Sequence, residues 1–381
     1  MNFTWSDEQI ELFDAVEKFA RKELNNDLIE NNRNCVFNHD GWKKCAEFGI
    51  QSLSVPEELG GLGQDPLTTV GVLDRLGYAC RDNGLVFSLN AHMWTVVMPL
   101  VSFGTDEQKE KYLPGLCDGS LIGANATSEP GAGSDAYSLR ATAELQGDHY
   151  ILNGNKTWVT NGPVADLSVV YATVDKSKGA RGVTAFLVEK DTPGLTVGEE
   201  LEKMGLRTSP MSELFFDNSK IPASSVLGSV GAGTQLFTHA MIWERGCILA
   251  NALGSMQHIM ETCTDYAKQR KQFGQPIGKF QAVADKIVDM KLRLDSARML
   301  LYSGAWQRTK GKSAFLEAAM TKRYLSNAWV RTCEAAIQIH GASGYMVEYE
   351  IERELRDAIA SRLYSGTDEI QASIIASMLG L

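Results

Sequence analysis

The sequence has no surplus of positive charge: 37 lysines and arginines stand against 47 aspartates and glutamates, a formal net charge of −10. That sign excludes the basic face expected of a general nucleic-acid binder, and no nucleic-acid partner is expected. Its seven cysteines are odd in number and scattered without CxxC spacing, so they read as reduced thiols and neither a disulfide frame nor a metal site is expected. No uninterrupted apolar run reaches the roughly 18–20 residues that cross a bilayer. Met1 is followed by a polar, acidic start, unlike a secretory signal. The expectation is a cytoplasmic protein without a membrane partner. HExxH, GxSxG, the Walker loop and the dinucleotide GxGxxG are also missing, which excludes the commonest signatures of zinc proteases, α/β-hydrolases, P-loop NTPases and Rossmann enzymes.

What is present is a long, ordinary globular chain. With 381 residues, 44% hydrophobic and 22% charged, it should fold as two or three units. The first unit, residues 1–121, reads as helical. Ser6 is followed three residues later by Gln9, the spacing of a capping box, and Ile10, Phe13, Val16, Ala20 and Leu24 then recur near helical period. Pro56 and the glycines of "EELGGLG" mark a loop. Near residue 122 the texture changes to short β-type runs: "LSVVYATV", "GVTAFLVEK" and "SELFFDNSKIP". In "HYILNGNKTWVTNG" the pair Asn153-Gly154 between two β-rich runs predicts a hairpin turn. Residues 122–228 should therefore form a β domain of short antiparallel strands. Helices return over 229–381. There Val283, Ile287, Met290, Leu294, Ala297 and Leu301 form an apolar stripe. The fold class is α+β: an N-terminal helical domain, a middle antiparallel β domain and a C-terminal four-helix bundle.

Several segments could carry chemistry. "NATSEPGAGSD", residues 125–135, is polar and glycine-rich within an apolar region, and Gly131 and Gly133 permit close backbone approach to a ligand. Taken alone it is an ordinary surface loop. Trp158 and Thr160 share one strand face, where an aromatic is usually core. "RKQFG", residues 270–274, puts two cations and an aromatic at a helix end, and "QIHGASGY", residues 338–345, is a glycine-rich helix stop. The most unusual segment is "HAMIWERGCILANALG", residues 239–254, where Glu244 and Arg245 interrupt a largely apolar run. Charges in such surroundings are rarely buried unless paired, so alone the pair reads as an internal salt bridge.

Together, "TSEPGAGSD" (127–135), "LNGNKTWVTNG" (152–162), "RKQFGQPIGKFQAV" (270–283), "QIHGASGY" (338–345) and "YSGTDEIQ" (364–371) resemble the acyl-CoA dehydrogenase family in order and spacing. The resemblance covers essentially the whole chain. It implies FAD between the β domain and the bundle, touched also by a neighbouring subunit of a homotetramer built as a dimer of dimers. It implies that Asn125, Thr127 and Ser128 line the flavin ring with Gly133, Trp158 and Thr160 nearby. Ser134 would lie between the flavin and the acyl thioester. Arg270, Gln272 and Phe273 would reach the partner's FAD, where a cation suits pyrophosphate. Gln281, Gln338 and Gly341 match its adenosine and pyrophosphate end, and Thr367 and Glu369 a segment near the active site.

The family removes an α-proton beside a thioester carbonyl with a carboxylate while hydride leaves the β-carbon for the flavin. Many members carry that carboxylate in Tyr-Glu-Gly-Thr, but this chain reads Tyr364-Ser365-Gly366-Thr367. Other branches carry the base on the helix segment matching Glu244, directly before an arginine, and Arg245 precedes Arg270 by 25 residues (270 − 245) as that alignment requires. The resemblance thus makes Glu244 the catalytic base and Arg245 a helper. "MIWERGC" together with "SRLYSGTDEIQ" is similar, more narrowly, to the branch that oxidises L-prolyl carrier-protein thioesters in prodiginine, pyoluteorin and anatoxin-a type pathways. It implies a small acidic carrier protein as partner and a short pocket, with Leu89, His92, Met93, Trp243, Arg245, Tyr364 and Ser365 as substrate-side residues. O2 or an electron-transfer flavoprotein would reoxidise the flavin. Two other readings remain: an ordinary short- or branched-chain acyl-CoA dehydrogenase, and a non-catalytic flavin scaffold that binds acyl thioesters.

Overall fold

The computed structural model describes residues 4–381; Met1 to Phe3, included in the expected helical unit, lie outside the described residues. Seven helices come first: α1 (Asp7–Glu23), α2 (Leu28–Asn34), α3 (His39–Phe48), α4 (Pro66–Ala79), α5 (Asn83–His92), α6 (Met98–Phe103) and α7 (Asp106–Asp118). The capping box forms as the spacing predicts: Gln9 N donates to Ser6 Oγ at 3.2 Å and Ser6 N to Gln9 Oε1 at 2.9 Å. Phe13, Val16, Ala20 and Leu24 are buried, whereas Ile10, in the first turn, is 46% exposed. Between α5 and α6 the chain runs as a π-helix over Met93–Val97. The resulting path, Asn83–Phe103, is 21 residues long and by length and mean hydropathy could span a bilayer, although Ser88, Asn90 and His92 interrupt its apolar run. In its most apolar 18-residue window 94% of the residues are buried, so here its apolar surface serves as core.

The middle unit is one sheet. Its strands are β1 (Gly123–Ala126), β2 (Thr142–Gln146), β3 (His149–Thr160), β4 (Leu167–Thr173), β5 (Val183–Glu189), β6 (Leu195–Val197), β7 (Met211–Pro222) and β8 (Val226–Leu227). The order is β6-β7-β3-β2-β4-β5-β8, with β1 joined to β4. Most pairs are antiparallel as expected, but β1 runs parallel to β4. The hairpin at Asn153-Gly154 does not exist. The turn lies upstream, at Gly147-Asp148 between paired Gln146 and His149, and β3 continues straight through Asn153 and Gly154. Gly154 has φ +136° at a register shift against β7. The conformational freedom that suggested a turn is used for a bulge. A Cβ there would stand 2.8 Å from Ala141 Cα. Gly154→Ala should therefore destabilise the fold by about 1–3 kcal/mol. Gly131→Ala, with nothing near its Cβ position, should stay within about 0.5 kcal/mol. Paired denaturant titrations check this, and equal midpoints for the two variants would refute it.

The C-terminal unit holds α8 (Gly233–Cys247), α9 (Ala250–Gln269), the short pair β9 (Lys271–Gln272) and β10 (Gln275–Pro276), α10 (Gln281–Thr309), α11 (Phe315–His340), α12 (Ala342–Tyr345), α13 (Ile351–Ala360) and α14 (Asp368–Met378). On α10 the stripe Met290, Leu294, Ala297 and Leu301 is buried, with Val283 and Ile287 packed at its margin. Buried polar groups lock the three units together. Asn83 Nδ2 at the start of α5 donates to Glu354 Oε2 (3.0 Å) and Asp357 Oδ2 (3.2 Å) on α13. The other Asp357 oxygen accepts Leu206 N from the β unit at 2.6 Å. This junction fixes α13, and with it the start of the loop that follows, relative to α5 and the β unit.

Candidate active site

Glu244 lies in the last turn of α8 and Arg245 beside it, each only 8% exposed. They do not pair with each other. Adjacent helical residues diverge by about 100°, and each finds a partner in the loop between α13 and α14. Ser365 Oγ donates to Glu244 Oε1 at 2.7 Å. Arg245 Nε donates to Ser365 O at 3.0 Å. The internal salt bridge that the sequence alone suggests is thus replaced by two contacts to one loop residue. Burial pushes the Glu244 carboxyl above the usual carboxylate range, opposed by the Ser365 hydrogen bond and the charges of Arg245 and Lys322. A buried carboxyl tuned upward is suited to general-base work near neutrality.

The loop itself is rigidly held. Ser365 and Gly366 both have left-handed backbone, with φ +57° and +87°. Gln371 Nε2 donates to both of their carbonyls at 3.0 Å. Lys322 Nζ, from α11, donates to Gly366 O at 2.7 Å. The Lys322 side chain is fully buried, and burial brings its ammonium down to about 8 despite nearby Asp368. Thr367 caps α14, accepting from Ile370 N at 3.3 Å, and Glu369 is exposed in the first turn. Lys322 escaped the sequence reading because it sits inside a helix with no local signature, and Gln371, though it ends the "YSGTDEIQ" motif, is given no role there.

The walls are aromatic. The Tyr364 ring packs on Phe87 at 4.6 Å. Trp243 stacks on Trp94 with centroids 5.6 Å apart and planes 4° from parallel, and the Arg308 guanidinium lies 3.7 Å from the Trp243 ring centre. Trp94 is fully buried and its indole N–H donates to Asn90 Oδ1 at 2.7 Å. Three expected substrate-side residues lie in the interior. Leu89 and His92 are 0% exposed and Met93 2%, as buried as the neighbouring Trp94. His92 is a structural joint. One ring nitrogen meets Leu116 O at 2.9 Å, the other accepts Gly123 N at 2.9 Å, and the ring edges onto Trp42. Its two backbone partners tie α7 to β1, and burial lowers its basicity to about 4.

The residues expected around a flavin ring gather where β1 and the segment after it lie against the second half of β3. Thr157 N donates to Ser128 O at 3.0 Å, bringing the 125–128 segment against β3. Beneath it Lys156, fully buried, donates to Thr127 O (3.1 Å) and Glu129 Oε1 (2.7 Å). Burial would raise the Glu129 carboxyl, yet the Lys156 contact and two backbone N–H bonds hold it below its ordinary value. On this platform Trp158 takes φ +54° and turns its indole outward, 55% exposed. A bulky residue in left-handed backbone is uncommon, and an exposed indole held in that way suits a planar ring stacked against it. Asn125 and Thr160 are half-buried beside it, and Thr127 Oγ1 donates to Asn125 Oδ1 at 3.1 Å. Gly133 and Ser134 are exposed, and a Cβ at Gly133 would meet nothing within 4 Å. The group that fits is a flat, hydrogen-bonding heterocycle, as an isoalloxazine is.

The remaining expected cofactor residues lie elsewhere. Arg270, Gln272, Phe273, Gln281, Gln338 and Gly341 are all exposed at the far end of the bundle. There the end of α9 meets the end of α11 through the Tyr266–His340 stack at 4.2 Å. Phe273 is 93% exposed with φ +50°. The 20 residues of α9 separate this end from the Glu244 end by about 30 Å.

The chain matches three domains of one family: "Acyl-CoA dehydrogenase, N-terminal domain" over 6–120, "middle domain" over 124–219 and "C-terminal domain" over 231–380. It is 42% identical over 381 residues, 100% of this chain and 99% of the other, to the L-prolyl-[peptidyl-carrier protein] dehydrogenase of Serratia sp.. Among solved structures it superposes on the prolyl acyl carrier protein oxidase AnaB with a TM-score of 0.98 and 52% identity, covering 99% of this chain and 100% of that one. PigA, solved with FAD and proline, gives a TM-score of 0.98 and 41% identity over 100% of both chains.

Proposed function

The chain belongs to the acyl-CoA dehydrogenase family, and from that premise we propose that it is an FAD-dependent oxidoreductase acting on L-proline held as a thioester on a carrier protein, in secondary-metabolite biosynthesis. The single observation that carries the reading is the buried Glu244 carboxylate held by Ser365, in the loop where many family members place their base. Two relatives that match this chain over 99–100% of its length, at 42% and 52% identity, are named for action on prolyl-carrier proteins.

Glu244 takes the proton from the substrate Cα. Its burial keeps water away and its elevated proton affinity matches it to a weakly acidic C–H. FAD, when bound, supplies the acceptor for the hydride that leaves Cβ. Asn125, Thr127, Ser128, Trp158 and Thr160 would hold its ring, while Thr367 and Glu369 lie in the adjoining segment. The proline ring fixes Cα and Cβ, so less entropy is lost in aligning both C–H bonds. The exposed residues at the far end of α9, Arg270 and Phe273 foremost, support a homotetramer in which each chain completes a neighbour's FAD site. O2 or an electron-transfer flavoprotein then reoxidises the flavin, in the cytoplasm.

Incubation with prolyl-loaded carrier protein should bleach the flavin, and mass spectrometry should find at least two hydrogens lost from the prolyl group. Bleaching by butyryl-CoA with an unchanged prolyl-carrier mass would make the protein an ordinary short-chain dehydrogenase. Bleaching by neither would make it a scaffold.

A further inference from the structure

Glu244 has two carboxylate oxygens in unlike situations. Oε1 accepts the Ser365 hydroxyl at 2.7 Å, while Oε2 makes no hydrogen bond among the described residues. Ser365 reaches Oε1 from a left-handed backbone, at φ +57°, and that conformation is held from outside. Its carbonyl accepts Arg245 Nε and Gln371 Nε2, both at 3.0 Å. The next carbonyl accepts Lys322 Nζ at 2.7 Å and Gln371 Nε2 at 3.0 Å. Three side chains from α8, α11 and α14 therefore aim one hydroxyl at one oxygen. A serine tolerated merely as the relic of a lost base would need no such bracing.

We infer that Ser365 is a positioning residue for the reaction: its hydroxyl fixes the Glu244 carboxylate through Oε1, leaves Oε2 to accept the substrate proton, and sets the pH at which the base becomes available. The inference rests on the reading of Glu244 as base. The Ser365 proton stays on Ser365 throughout, and only the Cα proton moves, to Oε2. The other groups within electrostatic reach of Glu244 are Arg245 on α8, Lys322 on α11, Tyr364 in the loop and Tyr171 on β4. The cations favour the ionised carboxylate. Both tyrosines are pushed up by burial and stay neutral. Ser365 is the one direct hydrogen-bond donor to the carboxylate among the described residues.

Losing that donor should destabilise the ionised form and so raise the Glu244 pKa. A hydrogen bond to a charged group commonly corresponds to about one pH unit or more. The test titrates Glu244 directly in the FAD-loaded protein. The infrared C=O band of its protonated carboxyl is assigned as the band that Glu244→Gln abolishes, and is followed against pH. In Ser365→Ala the midpoint should rise by about one unit or more, and the band should move to higher frequency as its hydrogen bond is lost. Ser365→Gly deletes the same hydroxyl but relaxes the left-handed backbone, so the two variants should share the shift if the hydroxyl is the cause. The acidic limb of flavin reduction by prolyl-carrier protein should move with the band. A midpoint unchanged in both variants would overturn the inference, as would a shift in Ala that Gly does not share. Absence of turnover by wild type would count against the proposed function alone, because the infrared titration needs no substrate.

Discussion

Glu244→Gln should give a folded protein that retains FAD but reduces it on the order of 100-fold or more slowly than wild type, the scale expected when a general base is removed. Glutamine keeps the side-chain volume and can still accept the Ser365 hydroxyl through its amide oxygen, so the loop after α13 loses no anchor. Arg245, Lys322 and Gln371 hold that loop by its carbonyls and do not depend on the carboxylate. A thermal melt and the flavin absorbance verify the fold, and anaerobic stopped-flow reduction gives the rate. In wild type that rate should climb as pH rises through the elevated Glu244 pKa and level off above it, because only the ionised form accepts a proton. The variant should lack this limb. Near-normal reduction would return Glu244 to a structural role.

The sequence disclosed the outline of this site better than its internal wiring. Glu244 stood out because a charge in an apolar helix demands an explanation, and its partner could be guessed only as adjacent Arg245. The structure separates them, since a helix cannot aim neighbouring side chains at each other, and gives each a contact 120 residues away, or nearly so, in one loop. Ser365 read as a missing base because residue type reports what a side chain cannot do; what it touches depends on its φ, which sequence does not reveal. Asn153-Gly154 failed for a related reason. The pair licenses positive φ, but a bulge and a turn both use it, and the sheet register decides between them. His92 was placed by position beside the pocket, whereas backbone groups of two other elements satisfy both its nitrogens. The helical periods and the change of texture near residue 122 were legible because they depend on local pattern alone.

Opening the wall beside the base should change what the enzyme accepts. Prolyl groups end in a compact ring, and we propose that the indole of Trp243, the residue before Glu244, limits the acyl group beyond it. Trp243 is sandwiched between Trp94 and the Arg308 guanidinium. Trp94 is itself pinned by Asn90, so the stack has little room to yield. On that reading a straight acyl chain extending past Cβ meets the indole, while a ring that stops there does not. Trp94 is fully buried, so truncating it risks the core at a cost of about 3–5 kcal/mol. Trp243 is only partly buried and is the safer probe. Trp243→Leu and Trp243→Ala should progressively favour butyryl-CoA over prolyl-carrier protein as flavin reductant. Because each methylene that a pocket admits or refuses is worth about 10–200-fold in specificity, the ratio of the two rate constants should move by at least about 10-fold in the alanine variant. The gain should appear with hexanoyl-CoA too if the indole is the stop. Arg308 loses its stacking partner in both variants, so Arg308→Met, which keeps the indole, serves as control and should leave the ratio near wild type. Variants that fold, hold FAD and keep the wild-type ratio would show that the chain-length limit lies elsewhere, with the Phe87–Tyr364 contact as the next place to cut.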